Sequence, residues 1–495
     1  MNKLFYGDNL DVLRSKLKDE TVDLCYIDPP FNSKRNYNQI YNNIGGDDRA
    51  QAQAFTDTWI WDDHATAGFS QILNNDGSRF TPQTIELIKG LHKVLKEGSL
   101  LAYLVHMTLR IVEIRRVLKP TGSFYLHCDP TSSHYLKLVL DGIFVAGGDF
   151  QNEIIWHYRR WTGKAKRFQA LHDVIFFYTK SRDYFFEPLY IEYTDGSIDR
   201  KLQGVLHRFK AGDEPVLVSD KSVDEKGVRD NDVWMIPFIA PSAKERLGYP
   251  TQKPEKLLTK IIQASCPKNG TVLDAYCGCG TSVAVAERYS RQWIGIDITY
   301  QSISLILRRL EGQAGKDAMQ NITLDGVPRD MESAIALANK KDDRVRKEFE
   351  KWAVLTYTNN RAVINERKGA DAGIDGTTYF QTSATENAKM VIQVKSGGVG
   401  RGDIAKLRGD MAREGAEMAT LITLEPATEP MRREAKTAGL YPHPFMLKNY
   451  DRIQIVTVKE IIEDNRRLEL PMNLEVLKKA QSAVSDKQIN LIPNE

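Results

Sequence analysis

The chain has 495 residues, 42% hydrophobic and 27% charged, ordinary proportions for a globular protein of two or three domains. Its formal net charge of +3 is too small to argue by itself for a polyanion partner. Five scattered cysteines do not suggest a disulfide framework, no apolar run reaches membrane-spanning length and no signal-peptide pattern opens the chain, so the expectation is a cytoplasmic protein without membrane contact.

Residues 1 to about 145 alternate helical patterns with apolar strands, as in α/β units. The decisive stretch is Val22 to Phe31, an apolar run that reads as a buried strand and stops in Asp28-Pro29-Pro30-Phe31. Two prolines fix φ twice and remove two donors, so the strand ends in a rigid corner. A carboxylate beside a backbone carbonyl suits an exocyclic amino group, because both accept its hydrogens, and Phe31 can stack on the ring that carries the amine. The bland alternative, an acidic strand end before a proline turn, is about equally good on these four residues alone.

Between Phe31 and Asp76 the chain is polar, with Tyr41, Trp59 and Trp61, and reads as a long loop or lid. A helix pattern covers Leu109 to Leu118, followed by a turn at Lys119-Pro120-Thr121-Gly122 and a strand from Ser123 to His127. Residues from about 150 to 240 interleave aromatic and basic side chains, including Trp156, Tyr158, Arg159, Arg160, Trp161, Lys164, Lys166 and Arg167, before a strand at Val174–Tyr178. Such a mixture suits phosphates and unstacked bases, although a solvated basic face on an aromatic core would look much the same.

The unit at 271–297 reads as strand, glycine-bearing loop, helix, and strand ending in an acid. Gly278 and Gly280 let backbone approach a ligand closely, with a helix N-terminus at Thr281 behind them. Asp297 is placed to accept from ribose hydroxyls. The loop lacks the third glycine of a dinucleotide fingerprint, which argues against NAD. Cys277 and Cys279 lack the partners of a zinc site and read as loop filling. Tyr249-Pro250-Thr251-Gln252-Lys253-Pro254 stands just upstream, before a helix pattern at Lys256–Ala264.

Together these motifs resemble the β-class DNA amino-methyltransferases, which make N6-methyladenine or N4-methylcytosine. The resemblance spans roughly residues 1–311, with the catalytic motif ahead of the cofactor motif and a target-recognition region at about 150–240 between them. It implies a Rossmann-like α/β fold with a circularly permuted motif order, S-adenosylmethionine as cofactor and double-stranded DNA as partner, and it admits a homodimer. It further implies Asp28, Pro29, Pro30 and Phe31 as the catalytic loop. Asp274, Tyr276, Gly278, Gly280 and Thr281 would line the cofactor pocket, Asp297 would hold the ribose, and Thr251, Gln252 and Lys253 would lie beside the cofactor. Asp rather than Ser at the head of the catalytic motif points to adenine. A base hidden in a duplex must be flipped out to reach such a site.

Residues 312–345 are charged and helix-compatible and read as a linker, 346–465 as a smaller α/β block and 466–495 as a tail. In the block, Gly373-Ile374-Asp375-Gly376 precedes a strand at Met390–Lys395, whose alternation puts Val391, Gln393 and Lys395 on one face. An acid on one strand and Gln-x-Lys on the next can hold a divalent metal and a water. This resembles the Mrr-like branch of the PD-(D/E)xK restriction endonucleases. The resemblance implies Asp375 and Gln393 as Mg²⁺ ligands, Lys395 as the residue positioning water, and Glu350 as an accessory acid. Glycines between Gly397 and Gly402 read as a loop. The leading expectation is therefore a DNA methyltransferase with a Mg²⁺-dependent endonuclease domain. The rivals are a solitary methyltransferase with an inactive DNA-gripping nuclease fold, and a non-catalytic DNA-binding module that senses the cofactor.

Overall fold

The computed structural model describes residues 2–30, 35–40, 51–57, 59–145, 147–159, 166, 168–193, 205–207, 216–218, 227–240, 242–247, 249, 251–315, 317–339, 343–359, 362–365, 373–382, 387–442 and 449–468. In chain order, the first sheet is built from β1 (Asn2–Tyr6), β2 (Val22–Ile27), β3 (Leu118–Cys128), β4 (Asp149–His157), β5 (His172–Thr179), β6 (Val233–Met235), β7 (Thr271–Asp274), β8 (Gln292–Asp297) and β9 (Ile322–Asp325). Their spatial order is β6-β4-β5-β3-β2-β7-β8-β1-β9, and only β5 runs against the others.

All six residues of β2 are buried, as a continuous apolar run requires of a central strand covered on both faces. Helices α1 (Asn9–Lys16), α2 (Asp63–Leu73), α3 (Pro82–Leu95), α4 (Ser99–Val117) and α5 (Ser133–Phe144) pack among one another and on the β3–β5 side. Helices α6 (Glu255–Ser265), α7 (Thr281–Arg288) and α8 (Tyr300–Ala314) cover the other apolar layer with Trp293 and Trp156. This is the Rossmann-like α/β architecture expected.

Several local expectations change. The Phe31–Asp76 segment is not one loop, since it contains the antiparallel pair Arg35–Ile40 and Gln51–Asp57 and the helix α2. Trp59 and Trp61 pack inward, with Trp59 4.3 Å from His106 and Trp61 5.8 Å from Phe69, because their apolar area outweighs the polar sequence around them. Tyr41 lies outside the described residues. The Lys119–Gly122 turn is absorbed into β3 as a bulge, since Val22 pairs with Leu118 but Leu24 with Ser123.

In the recognition region, β4 and β5 belong to the main sheet, and Trp156 and Tyr158 are buried in it rather than offered to bases. Arg160, Trp161, Lys164 and Arg167 lie outside the described residues. The stretch expected as a linker supplies edge strand β9, paired with β1, and α9 (Met331–Ala338).

The second sheet has order β10-β11-β12-β13-β14, from Val363–Ile364, Gly376–Gln381, Asn387–Lys395, Met418–Thr423 and Ile453–Thr457. Helix α10 (Asp343–Tyr357) packs against β12, and α11 (Arg401–Arg413) and α12 (Glu429–Lys436) cover the other face. Gly400 N-caps α11, so the run from Gly397 is partly helical. Of the expected tail, Leu468 is buried and its N–H donates to Tyr357 O at 2.7 Å; residues beyond it lie outside the described set. All five cysteines are free and buried, and among the described residues no helix is long and apolar enough to cross a membrane.

The two sheets meet through α8 and α10. Glu348 of α10 accepts from Tyr6 Oη at 3.1 Å and from the backbone N–H of Tyr300, the first residue of α8, at 3.2 Å. A carboxylate at a helix N-terminus satisfies an orphan donor and the helix dipole together. Glu348→Ala is expected to destabilise the full chain by about 1–3 kcal/mol, read as a lower midpoint in urea with an unchanged slope. An unchanged midpoint would mean that the contact contributes nothing net.

Candidate active site

The two acidic motifs meet because their strands are neighbours. Parallel pairing sets Leu24 opposite Val272 and Cys25 opposite Leu273, so Asp28 and Asp274 leave the same carboxyl edge of the sheet. Asp297 ends β8, one strand further, opposite Tyr6 of β1. The carboxyl edge of an open parallel sheet is where such folds bind ligands.

Lys253, buried just ahead of α6, donates to Asp28 Oδ2 at 2.5 Å and to Thr251 O at 3.4 Å. Asp28 Oδ1 is buried and has no hydrogen-bond partner among the described residues. A buried acceptor left open is costly, so an N–H donor brought by a ligand is what this atom requires. Phe31 lies outside the described residues, and Pro29 and Pro30 follow β2 without regular structure.

Gly278 and Gly280 have φ of +48° and +71°, in the left-handed region. A Cβ on Gly280 would come within 2.6 Å of Ile306, and one on Gly278 within 3.3 Å of the Tyr249 ring. The Gly278 N–H donates to Asp297 Oδ2 at 2.8 Å, and Thr299 N donates to Oδ1 at 2.9 Å. Asp274 accepts from Tyr276 N at 3.0 Å and from the Ser282 hydroxyl. Burial pushes Asp274 up to about 7 and Asp297 up to about 6, despite these hydrogen bonds.

Sequence reasoning missed what holds the glycine loop from behind. Asn9 Nδ2 donates to Ala275 O at 2.8 Å, and Arg110 Nε of α4 donates to Asn9 Oδ1 at 2.5 Å. Arg110 also pairs with Asp8 at 2.9 Å, and Gly7 N donates to Asp297 O at 3.0 Å. The Asp8 helix cap was the available signal, but its partner lies on another element. His106 Nε2 lies 2.9 Å from Tyr276 Oη, and burial, then Arg110, hold this imidazole well below its ordinary value.

Other residues expected beside the cofactor make bonds within the protein. Gln252 staples its own loop, accepting from Leu247 N at 2.8 Å and donating to Glu245 O at 2.6 Å. Thr281 Oγ1 faces Arg309 NH1 at 3.1 Å, and Thr251 is exposed with φ +64°.

Residues 22–308 match the DNA methylase family of N6/N4 methyltransferases. The chain belongs to that family. Type II methyltransferase M.BglII of Bacillus subtilis is 28% identical over 240 residues, 47% of this chain and 62% of the relative, so the match spans under two thirds of its length. DNA adenine methyltransferase YhdJ of Escherichia coli K12 is 25% identical over 315 residues, 62% of this chain and 82% of the relative. Among solved structures, PvuII DNA methyltransferase (cytosine-N4-specific) matches with a TM-score of 0.38 and 14% identity, covering 65% of this chain and 91% of that one. Residues 345–463 are similar to a second family, the NACHT-associated inactive restriction endonuclease 1.

That second match does not bear out the Mrr-like expectation, and the described residues gather no ready set of acidic side chains for a divalent metal. Burial, then Glu350, raises Asp375 to about 7, and its Oδ2 accepts from Val394 N at 2.7 Å. Gln393 is fully buried and donates its amide to Gly373 O at 2.7 Å. Among the described residues no group of three His, Cys, Asp or Glu side chains could hold a metal ion. Mg²⁺ favours charged oxygen ligands, and Gln393 offers only a neutral amide that already donates to Gly373 O.

Two tests follow from this geometry. Asp274, Asp297 and Asp375 all titrate above their ordinary range, so the folded state binds protons more readily than the unfolded chain does. Their contribution is fully present below about pH 4 and is lost as pH rises through about 6 to 7. Asp274→Asn should therefore flatten the fall in melting temperature between pH 5 and pH 8; an unaltered slope would contradict the shift. Gly280→Ala should lose about 1–3 kcal/mol of stability through backbone strain and the Ile306 clash, and wild-type urea stability in that variant would show that the loop relaxes freely.

Proposed function

We propose that this protein transfers a methyl group from S-adenosylmethionine to an exocyclic amine of a flipped DNA base, with adenine N6 as the target. The observation that carries this reading is the open, buried acceptor Asp28 Oδ1 at the carboxyl edge of β2, one strand from the glycine loop. In this reading the Asp28 carboxylate and the Pro29 carbonyl accept the two amino hydrogens, which leaves the nitrogen lone pair directed at the methyl donor. Lys253 takes the other Asp28 oxygen and holds the carboxylate in one orientation. Phe31 stacks on the base.

Gly278 and Gly280 leave room for the cofactor, Asp297 accepts from its ribose, and Asp274 and Tyr276 shape the wall. Bound S-adenosylmethionine supplies an electrophilic methyl carbon. Asp28 and the Pro29 carbonyl would hold the amine in line with that carbon, and the Asp28 carboxylate, hydrogen-bonded to the amine, would be the nearest base for the proton the nitrogen must lose. Proximity and alignment account for most of the rate. Adenine is supported by the Asp at the head of the motif and by the name of the adenine-specific relative.

The transferase unit extends past residue 311 to include β9, and 346–465 forms the nuclease-like unit. We read the latter as a nuclease fold that does not cut, because Gln393 puts a buried neutral amide where a charged metal ligand is expected; the family it resembles is named for inactivity. The names of the Type II relatives support a restriction–modification setting.

Long-read sequencing of DNA from a methylation-free host expressing the protein should reveal N6-methyladenine in one motif, absent with Asp28→Ala. N4-methylcytosine would overturn the choice of base, and no modified base would overturn the transferase reading. Purified protein with Mg²⁺ should leave unmethylated plasmid intact, and cleavage abolished by Lys395→Ala would restore the nuclease.

A further inference from the structure

Behind Asp28 lies a set of buried polar groups that the transfer chemistry does not yet use. Tyr26, His127 and Asp173 stand on three consecutive strands of the sheet, β2, β3 and β5. His127 is fully buried. Its Nδ1 lies 2.9 Å from Tyr26 Oη and 4.0 Å from Asp28 Oδ1, and its Nε2 lies 3.2 Å from Asp173 Oδ2. Tyr158 Oη donates to the other Asp173 oxygen at 3.0 Å. Trp156 closes the imidazole edge-on, with ring centroids 5.5 Å apart.

These contacts decide where the imidazole hydrogen goes. Burial pushes Asp173 up, but His127, Lys253 and Tyr158 more than offset it and hold the carboxyl below its ordinary value, so Asp173 only accepts. The His127 nitrogen facing it must then carry the hydrogen. Burial, then Asp28, keeps the Tyr26 hydroxyl protonated, so it can donate to Nδ1 when that nitrogen carries a lone pair. In that arrangement the Nε2 hydrogen and the Tyr26 hydroxyl hydrogen both serve partners other than Asp28 Oδ1. With the hydrogen on Nδ1 instead, it would go to Tyr26 Oη at 2.9 Å, and its positive end would lie 4.0 Å from Asp28 Oδ1, too far for a hydrogen bond but near enough to compete electrostatically for the acceptor the substrate needs.

We infer that Asp173 and His127 are positioning residues for methyl transfer: they hold the imidazole hydrogen on Nε2 and so keep Asp28 Oδ1 open for the amino group of the base. The inference rests on the transferase reading of the Asp28 site, but the tautomer itself can be read without any activity. A merely structural histidine, buried and satisfied, would work with the hydrogen on either nitrogen.

The test is the nitrogen spectrum of the full chain labelled with ¹⁵N-histidine, the His127 signals being assigned by comparison with His127→Gln. Wild-type protein should show a protonated Nε2 and an unprotonated Nδ1. Asp173→Asn, whose amide can donate to Nε2, should move the hydrogen to Nδ1. In the same variant kcat on unmethylated DNA should fall at least about tenfold, the direction set by a wrong-tautomer histidine, with KM for S-adenosylmethionine unchanged. Tyr26→Phe, which keeps Asp173, should retain the hydrogen on Nε2 and serves should Asp173→Asn not fold. A hydrogen on Nδ1 in wild type or in Tyr26→Phe overturns the inference, as does an Asp173→Asn protein with an unmoved hydrogen or an unchanged kcat. Wild-type protein that shows the Nε2 hydrogen but methylates nothing would defeat the transferase reading instead.

Discussion

The Asp28–Lys253 ion pair is the contact on which the rest of the site depends. Both side chains are largely withdrawn from water, where an unpaired charge costs several kcal/mol or more. Pairing offsets that cost on one carboxylate oxygen and leaves the other open. The pair also ties the proline corner after β2 to the segment ahead of α6, far away in sequence. It can form only because parallel pairing brings β2 beside β7 and so gathers both segments at one edge of the sheet.

The glycine loop is shaped from behind as much as by its own residues. The turn after β1 reaches it twice, through Asn9 to Ala275 O and through Gly7 to Asp297 O, and Arg110 of α4 braces that turn against Asp8. Backbone groups held in this way lose little freedom when a ligand arrives, which favours binding. The turn after the chain's first strand thus braces the residues on either side of the glycine loop, which motif order alone would not show.

Helix α10 faces two ways. Glu348 satisfies Tyr6 and the start of α8, immediately after the Asp297–Thr299 turn, while Glu350, two positions on, raises Asp375 in the second domain. Residues two apart on a helix point to nearly opposite sides. The nuclease-like domain is therefore packed against α8 and the turn before it, through apolar contacts as well as this carboxylate, rather than tethered by a free linker.

The sequence by itself determined the strand-and-corner at Asp28, the glycine loop between β7 and α7, and the two α/β blocks, because these rest on local rules: apolar runs, proline geometry and glycine at positive φ. Gly280 is a clear case, since its requirement is written in its own φ of +71°. The tertiary structure alone decided which side chains meet. His127 reads as one more residue at a strand end until β5 brings Asp173 to it. Trp156 and Tyr158 look like a base-stacking surface in sequence, yet sheet pairing buries both. The linker expected before residue 345 failed for the same reason: β9 is too short and only half apolar, and it becomes a strand because β1 offers it an open edge. Pairing partners, and with them burial and charge neighbours, are set by which elements meet in the fold, and no local pattern records that.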